Sequence, residues 1–259
     1  MQPALTAKRH SIKTVRCIAT IGFIIMHQCM ALRGCQAPAI PARLLHCGRT
    51  APAFGVSASN RRLRDTMRRQ DLCNAPLQLS TPQLDLHAPR PAFGPLFVES
   101  LNLSLPGLSH IGWAQQARTT DWGATFMQHG QELMASGDCL IYYAFERGPA
   151  GELGPYVGRI DLHSWDFEAP RCEVGYVGDV RTAGRGLMRE AVLACVDIAF
   201  NLGAARVQAL SEADNGRALH FAEHALGFTR EGVLRNFERD AQGRLGSQVM
   251  FAAYRPCAT

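Results

Sequence analysis

Lysine is nearly absent from these 259 residues: Lys8 and Lys13 are the only two, so every later fixed positive charge is an arginine. Acidic residues are absent from residues 1–64, although that segment holds ten of the 27 Lys and Arg residues. The formal charge of +5 therefore belongs to the first segment, and the remainder is mildly acidic, which leaves no basic footprint for nucleic acid. The apolar run from Cys17 to Met26 falls well short of the roughly 20 residues that cross a bilayer, so no membrane span is expected. Nine cysteines include no C-x-x-C pair, and four of them (Cys17, Cys29, Cys35, Cys47) lie in the basic segment. That scatter favours reduced thiols over a disulfide framework. His220 and His224 have the i, i+4 spacing of metal ligands, but no third ligand accompanies them and an ordinary helix surface is expected.

What is present suits a core-forming domain, with 47% hydrophobic and 19% charged residues. Residues 1–76 are expected to stand outside it. Their positive start, apolar run and small residues Ala37, Ala39 and Ala42 imitate a secretory signal, while the acid-free arginines up to Arg64 imitate a transit peptide. Disorder, or synthesis from Met67, fits a cytoplasmic protein better. Residues 77–255 read as one α/β (α+β) domain without internal repeats. Gln83 to His87 alternates as a first strand, a helix runs through Phe97 to Leu103, and a second starts at Thr120 or Asp121 and stops at Gly137. Strands follow at Cys139 to Glu146, Tyr156 to Trp165 and Arg171 to Gly178. After a strand-loop-helix come a strand at Ala205 to Ser211 and a helix at Asn215 to Ala225. A final hairpin pairs Phe228 to Arg239 with Leu245 to Tyr254.

The stretch from Arg171 to Gly203 organises the rest. A strand ends near Gly178, a loop runs from Arg181 to Gly186, and apolar residues at Leu187, Met188, Ala191, Val192, Cys195, Ile198, Ala199 and Leu202 mark one buried helix face. Gly203 stands where a left-handed cap is expected. A loop opening directly into a helix leaves backbone N–H donors unpaired at the positive end of the dipole, which makes an anion site. A dinucleotide fingerprint would need glycine where Arg189 stands, and a nucleoside-triphosphate loop would need Lys-Ser/Thr where Leu187 and Met188 stand.

What remains, Arg181-x-x-Gly184-x-Gly186 after a strand, resembles the Q/R-x-x-G-x-G/A acyl-CoA loop of the GNAT acetyltransferases. The wording GYVGDVRTAGRGLMREAV is similar to the RimJ/RimL branch, the ribosomal-protein N-terminal acetyltransferases. The resemblance implies a mixed central sheet with helices on both faces, acetyl-CoA as co-substrate and no metal. It implies that the strand ending near Gly178 splays from its neighbour and that backbone groups of Val177 and Asp179 align the pantetheine arm. The amides of Thr182, Ala183, Gly184, Arg185, Gly186 and Leu187 would then hold the pyrophosphate. Arg181 and Arg185 would add charge or stand as solvated loop arginines. Asn215 resembles the family's CoA-contacting asparagine and is equally a good N-cap. Ala218 stands where many relatives have serine and cannot donate a proton, and Trp113 falls where relatives carry a tryptophan.

Acetyl transfer needs a neutral amine. An α-amine, with a pKa of about 7.7 to 8.0, needs far less help from a base than a lysine at about 10.4. Glu238 matches the position of a glutamate proposed as base in RimL-like relatives, and Glu173 competes for the role beside the thioester. Tyr176 is an acid or a packing residue. Strand parity puts Glu173, Gly175 and Val177 on one face and Val174, Tyr176 and Gly178 on the other. The expected acceptor is a protein N-terminal amine. The alternatives are a small amine such as a polyamine or aminoglycoside, and a degenerate acyl-CoA-binding module.

Overall fold

The computed structural model describes residues 66–108, 116–239 and 243–256 of the chain. The expectations for residues 1–65, for Trp113 and for residues 240–242 of the last turn fall outside these. Eight strands form one mixed sheet in the order β1-β2-β3-β4-β5-β6-β8-β7. They are β1 (Gln78–Ser80), β2 (Leu84–His87), β3 (Leu140–Arg147), β4 (Leu153–Asp166), β5 (Arg171–Gly178), β6 (Arg206–Glu212), β7 (Thr229–Arg239) and β8 (Leu245–Tyr254). Among the described residues only β5 and β6 pair in parallel, because the helix between them carries the chain back across the sheet.

That helix, α4 (Leu187–Asn201), buries Leu187, Ala191, Val192, Cys195, Val196, Ala199 and Phe200. Its exit is as expected: Gly203 takes a φ of 110° just beyond the cap residue Leu202. The opposite face of the sheet receives α2 (Gly94–Ser104) and α3 (Thr120–Ser136). Strand alternation proves the two faces distinct. Arg159 of β4 lies under Phe126 of α3, whereas a Cβ on its neighbour Gly158 would meet Met188 of α4 at 2.4 Å. Helices α2 and α3 approach closely at paired glycines, since a Cβ on Gly123 would sit 2.8 Å from the Gly94 carbonyl oxygen and 2.7 Å from Val98. Phe97, Trp122 and Phe126 stack in that hairpin, with ring centroids 4.8 to 6.2 Å apart. The hydroxyl of Thr119, one residue before the expected cap, accepts the Trp122 amide.

The core reaches back beyond residue 77. Met67, Leu72 and Ala75 are buried in it, with Leu72 on the short helix α1 (Arg69–Cys73). Across the sheet, α5 (Gly216–His220) passes into a π-helical turn at Phe221–Ala225, where a single α-helix was expected. Among the described residues no helix is long and apolar enough to cross a membrane.

Candidate active site

The loop between β5 and α4 is braced from below. The Asp179 carboxylate accepts from the Arg181 amide at 2.7 Å and from its guanidinium at 2.6 to 3.2 Å, and Arg181 also reaches Glu99 of α2 at 2.7 Å. Burial alone would raise the Asp179 carboxyl, but the bonds from Arg181 outweigh it and hold the group below the usual carboxylate range. The amides of Thr182 and Ala183 turn inward to the carbonyls of Asp179 and Val180, so they are not available to a ligand as expected. The donors that remain run from Gly184 to Arg189. Among the described residues none of these amides has an acceptor, and the first bond of the helix is from Glu190 N–H to the Gly186 carbonyl. Gly184 and Gly186 take φ values of 80° and 77°, and a Cβ on either would meet no protein atom within 4 Å. Their left-handed backbone, not crowding by the protein, is what calls for glycine.

The far side of the loop is anchored as firmly. The Glu190 carboxylate accepts from the Thr81 hydroxyl, the Gln83 amide and the Gln83 side chain at 2.5 to 2.8 Å, which ties the first turn of α4 to the β1–β2 connection. Arg189, standing where a dinucleotide fold has its third glycine, donates to the Ala225 carbonyl at 2.7 Å. Arg185 is occupied too, in a two-pronged pair with Glu146 at 2.6 and 2.7 Å. Neither loop arginine is a free charge.

Beside the loop the sheet opens. Strand β5 pairs with β6 only through Arg171, Cys172 and Glu173, with Glu173 opposite Gln208, and the strands part beyond that point. The Asp179 amide donates back to the Val157 carbonyl at 2.8 Å. By strand alternation Val177 turns the same way, so the backbone groups facing the gap are those of Tyr176 and Gly178, in place of the expected Val177 and Asp179. Asn215 closes the gap's other side as N-cap of α5, its side chain accepting the Ala218 amide at 3.1 Å. The Tyr176 ring packs edge-on against Phe221, centroids 5.2 Å apart, and burial pushes its phenol up to about 12.

On the opposite face, at the apex of the gap, lies a row of polar side chains. Glu173 receives Gln208 Nε2 at 3.4 Å, and its neighbours across β4 are His163 and Asp161. Asp161 fits because Gly175 has no side chain: a Cβ there would stand 3.2 Å from both carboxylate oxygens. Arg159, its side chain 11% exposed, pairs with Asp161 at 2.5 Å. Glu238, from the edge strand β7, receives Gln248 Nε2 at 3.3 Å. Burial and then the charge of Glu173 raise the Glu238 carboxyl above its ordinary value, against the opposing bond from Gln248. The two glutamates considered as rival bases therefore stand within electrostatic reach of each other, and Tyr176 points to the other face.

Residues 105–229 match the acetyltransferase (GNAT) domain family. The chain contains a GNAT acetyltransferase domain. Its mixed sheet and flanking helices are the GNAT fold. Among solved structures it is similar to the microcin C7 self-immunity acetyltransferase MccE, in complex with acetyl-CoA and AMP, at 16% identity and a TM-score of 0.61, covering 70% of this chain and 97% of that one. It is similar to RimL, the ribosomal L7/L12 alpha-N-protein acetyltransferase in complex with coenzyme A, at 19% identity and a TM-score of 0.59, covering 69% and 96%. It is likewise similar to the Salmonella typhimurium acetyltransferase that modifies the N-terminal serine of that 50S protein, at 18% identity and a TM-score of 0.59, covering 67% and 96%. No curated protein sequence matches the chain.

Within the GNAT domain, then, the loop glycines and Asn215 stand together at the gap, while Arg181 and Asp179 brace the loop from beneath. His163, Asp161, Gln208 and Gln248 were not singled out from sequence. Period-two alternation in IDLHSW and RVQALS marks their shared face, but nothing local marks their adjacency. The His220 and His224 rings lie tilted at 51° with centroids 4.7 Å apart on an exposed helix surface, and no group of three metal-binding side chains occurs among the described residues.

Proposed function

We propose that this domain transfers an acetyl group from acetyl-CoA to the α-amine of a protein N-terminus, as in the RimJ/RimL branch, in the cytoplasm. The observation that carries the donor assignment is the run of amides from Gly184 to Arg189 without acceptors among the described residues. It lies at a helix start beside the free edge of β5. A pyrophosphate fits those donors and an extended amide-bearing arm fits that edge. When bound, acetyl-CoA supplies a thioester whose carbonyl carbon the amine attacks as the C–S bond breaks. Titratable Glu238, raised by burial and by Glu173, accepts the proton that the ammonium form of the acceptor has to lose. The negative face formed by Glu173 and Glu238 also draws that cation in. Tyr176, kept neutral by burial, is a donor on the gap side. Ala218 offers no proton, and a thiol of pKa about 8.5 leaves as thiolate without a strong acid.

An α-amine acceptor suits this arrangement because a carboxylate suffices to neutralise it, whereas a lysine side chain asks for a much stronger base. The test follows free thiol release from acetyl-CoA with Ala-, Ser- and Met-initiated peptides, spermidine and an aminoglycoside. Turnover with the peptides supports the proposal. Turnover with the small amines alone would redirect it, and tight acetyl-CoA binding without turnover on any acceptor would indicate a binding module.

A further inference from the structure

The buried imidazole of His163 has no part in the reaction as described, yet it stands directly across the β4–β5 ladder from Glu173. His163 Nε2 lies 3.6 Å from Asp161 Oδ2 and 3.9 Å from Glu173 Oε1. On the other side of the ring, Nδ1 is 2.9 Å from the Ser164 hydroxyl. Ionised carboxylates only accept hydrogen bonds, so the proton belongs on Nε2, and Nδ1 accepts from Ser164. Ser164 presents that hydroxyl from a left-handed backbone, φ 54°, a conformation that costs a residue with a Cβ about 1 to 2 kcal/mol. Gln208 Nε2 takes the other Glu173 oxygen at 3.4 Å. The carboxylate is thus addressed from both neighbouring strands, at the last β5–β6 pair before the gap opens.

We propose that His163 is a positioning residue for acetyl transfer, holding the Glu173 carboxylate toward Glu238 and the apex of the gap, where the incoming ammonium is neutralised. This rests on the reading of Glu173 and Glu238 as the groups that meet the amine. The charged groups around Glu173 are Asp161 on β4, itself paired with Arg159, and Glu238 on β7. The next cation, Arg206 of β6, is engaged by Glu231. Gln208 engages the other Glu173 oxygen, so on the β4 side it is the Nε2 of His163 that faces Oε1.

The experiment measures kcat, KM and the pH profile of kcat/KM in the full-length protein with a peptide acceptor, for His163→Leu, His163→Gln, Glu173→Gln and the double variant His163→Leu/Glu173→Gln. Expected for His163→Leu are a roughly tenfold loss of kcat, unchanged acetyl-CoA affinity and an acid limb moved to lower pH, as in Glu173→Gln. His163→Gln, which keeps an N–H donor, recovers most of the rate. In the Glu173→Gln background, His163→Leu adds no further loss. An equal loss in both backgrounds, or a wild-type profile for His163→Leu, would overturn the proposal. Wild-type turnover by Glu173→Gln would overturn the reading of the site itself and this proposal with it. If His163→Leu melts below the assay temperature, Ser164→Ala keeps the ring but removes the hydroxyl that sets its tautomer. It should shift the limb in the same direction, and an unmoved limb counts against the proposal.

Discussion

Replacing Gly186 by alanine separates what the loop does for the fold from what it does for the ligand. Gly186 is the N-cap of α4 at φ 77°, and a Cβ there meets no protein atom within 4 Å. The stability loss therefore comes from backbone strain alone. Placing alanine in the left-handed region costs about 1 to 2 kcal/mol, offset by about 0.4 to 1 kcal/mol from the stiffer unfolded chain. The net of roughly 1 kcal/mol lowers Tm by about 2 to 4 °C in a domain of this size. The donor side should lose more. The new methyl stands where the pyrophosphate approaches, and if one charge-assisted bond of about 1.5 to 3 kcal/mol fails, acetyl-CoA binds roughly 10- to 150-fold more weakly. Calorimetric titration with CoA and a thermal melt on the same sample read both quantities. Gly243→Ala is the control, since Gly243 has φ 77° and equally open surroundings but lies in the β7–β8 turn. If Gly186→Ala lowers Tm and leaves CoA affinity within twofold of the control, the loop is an ordinary strand-helix turn and the donor assignment fails.

Three further outcomes are expected. Glu238→Gln should cut kcat about 10²-fold with CoA affinity intact. It should also raise Tm at pH 7: a carboxyl raised by burial and by Glu173 binds its proton more tightly when folded, so stability falls as pH climbs through the folded pKa and glutamine removes that penalty. A lowered Tm with full activity would contradict both halves. Asp179→Ala leaves Arg181 without its main partner and should cost about 2 to 3 kcal/mol in chemical denaturation. Because Asp179 is held low when folded, its contribution is present above the unfolded carboxylate range and lost as pH falls through the folded value, so wild type and variant should converge in acid. Glu146→Gln frees the exposed Arg185 to face the phosphates; CoA affinity should rise a few-fold at low ionic strength and return to wild type in 0.5 M salt, with little change in Tm.

Most elements were legible because their periodicities are local. The strands at Arg171–Gly178 and Leu245–Tyr254 begin and end where the alternation does, and Gly137 and Gly203 stop their helices with positive φ as their positions imply. Strand β1 was not legible, because Gln78–Ser80 is short and largely exposed and carries no apolar alternation of its own. It exists through pairing with Leu86 and its neighbours. The π-helical turn at Phe221–Ala225 has no sequence signature either. Within the site, the expectation that Thr182 and Ala183 present their amides failed because the chain first makes a tight turn over Asp179, and composition does not reveal that turn.

The two halves of the site differ in how the chain encodes them. The donor half is one continuous segment in which strand, turn and helix dictate where the amides point, so a motif of a few residues carries it. The acceptor half draws Asp161 and His163 from β4, Glu173 from β5, Gln208 from β6, Gln248 from β8 and Glu238 from β7, brought to one face by register across five strands. A single-residue slip in any of those ladders would send its side chains to the opposite face. Between Leu234 and Glu238 the β7 ladder advances four residues against two on β8, so the parity is kept and the two extra residues set how far along β8 Glu238 stands. Deleting Asn236 alone changes the offset of Glu238 from Leu234 by one residue and turns Glu238 to the opposite face, so it should leave CoA binding unchanged and abolish turnover, a separation that no change in the loop itself can produce.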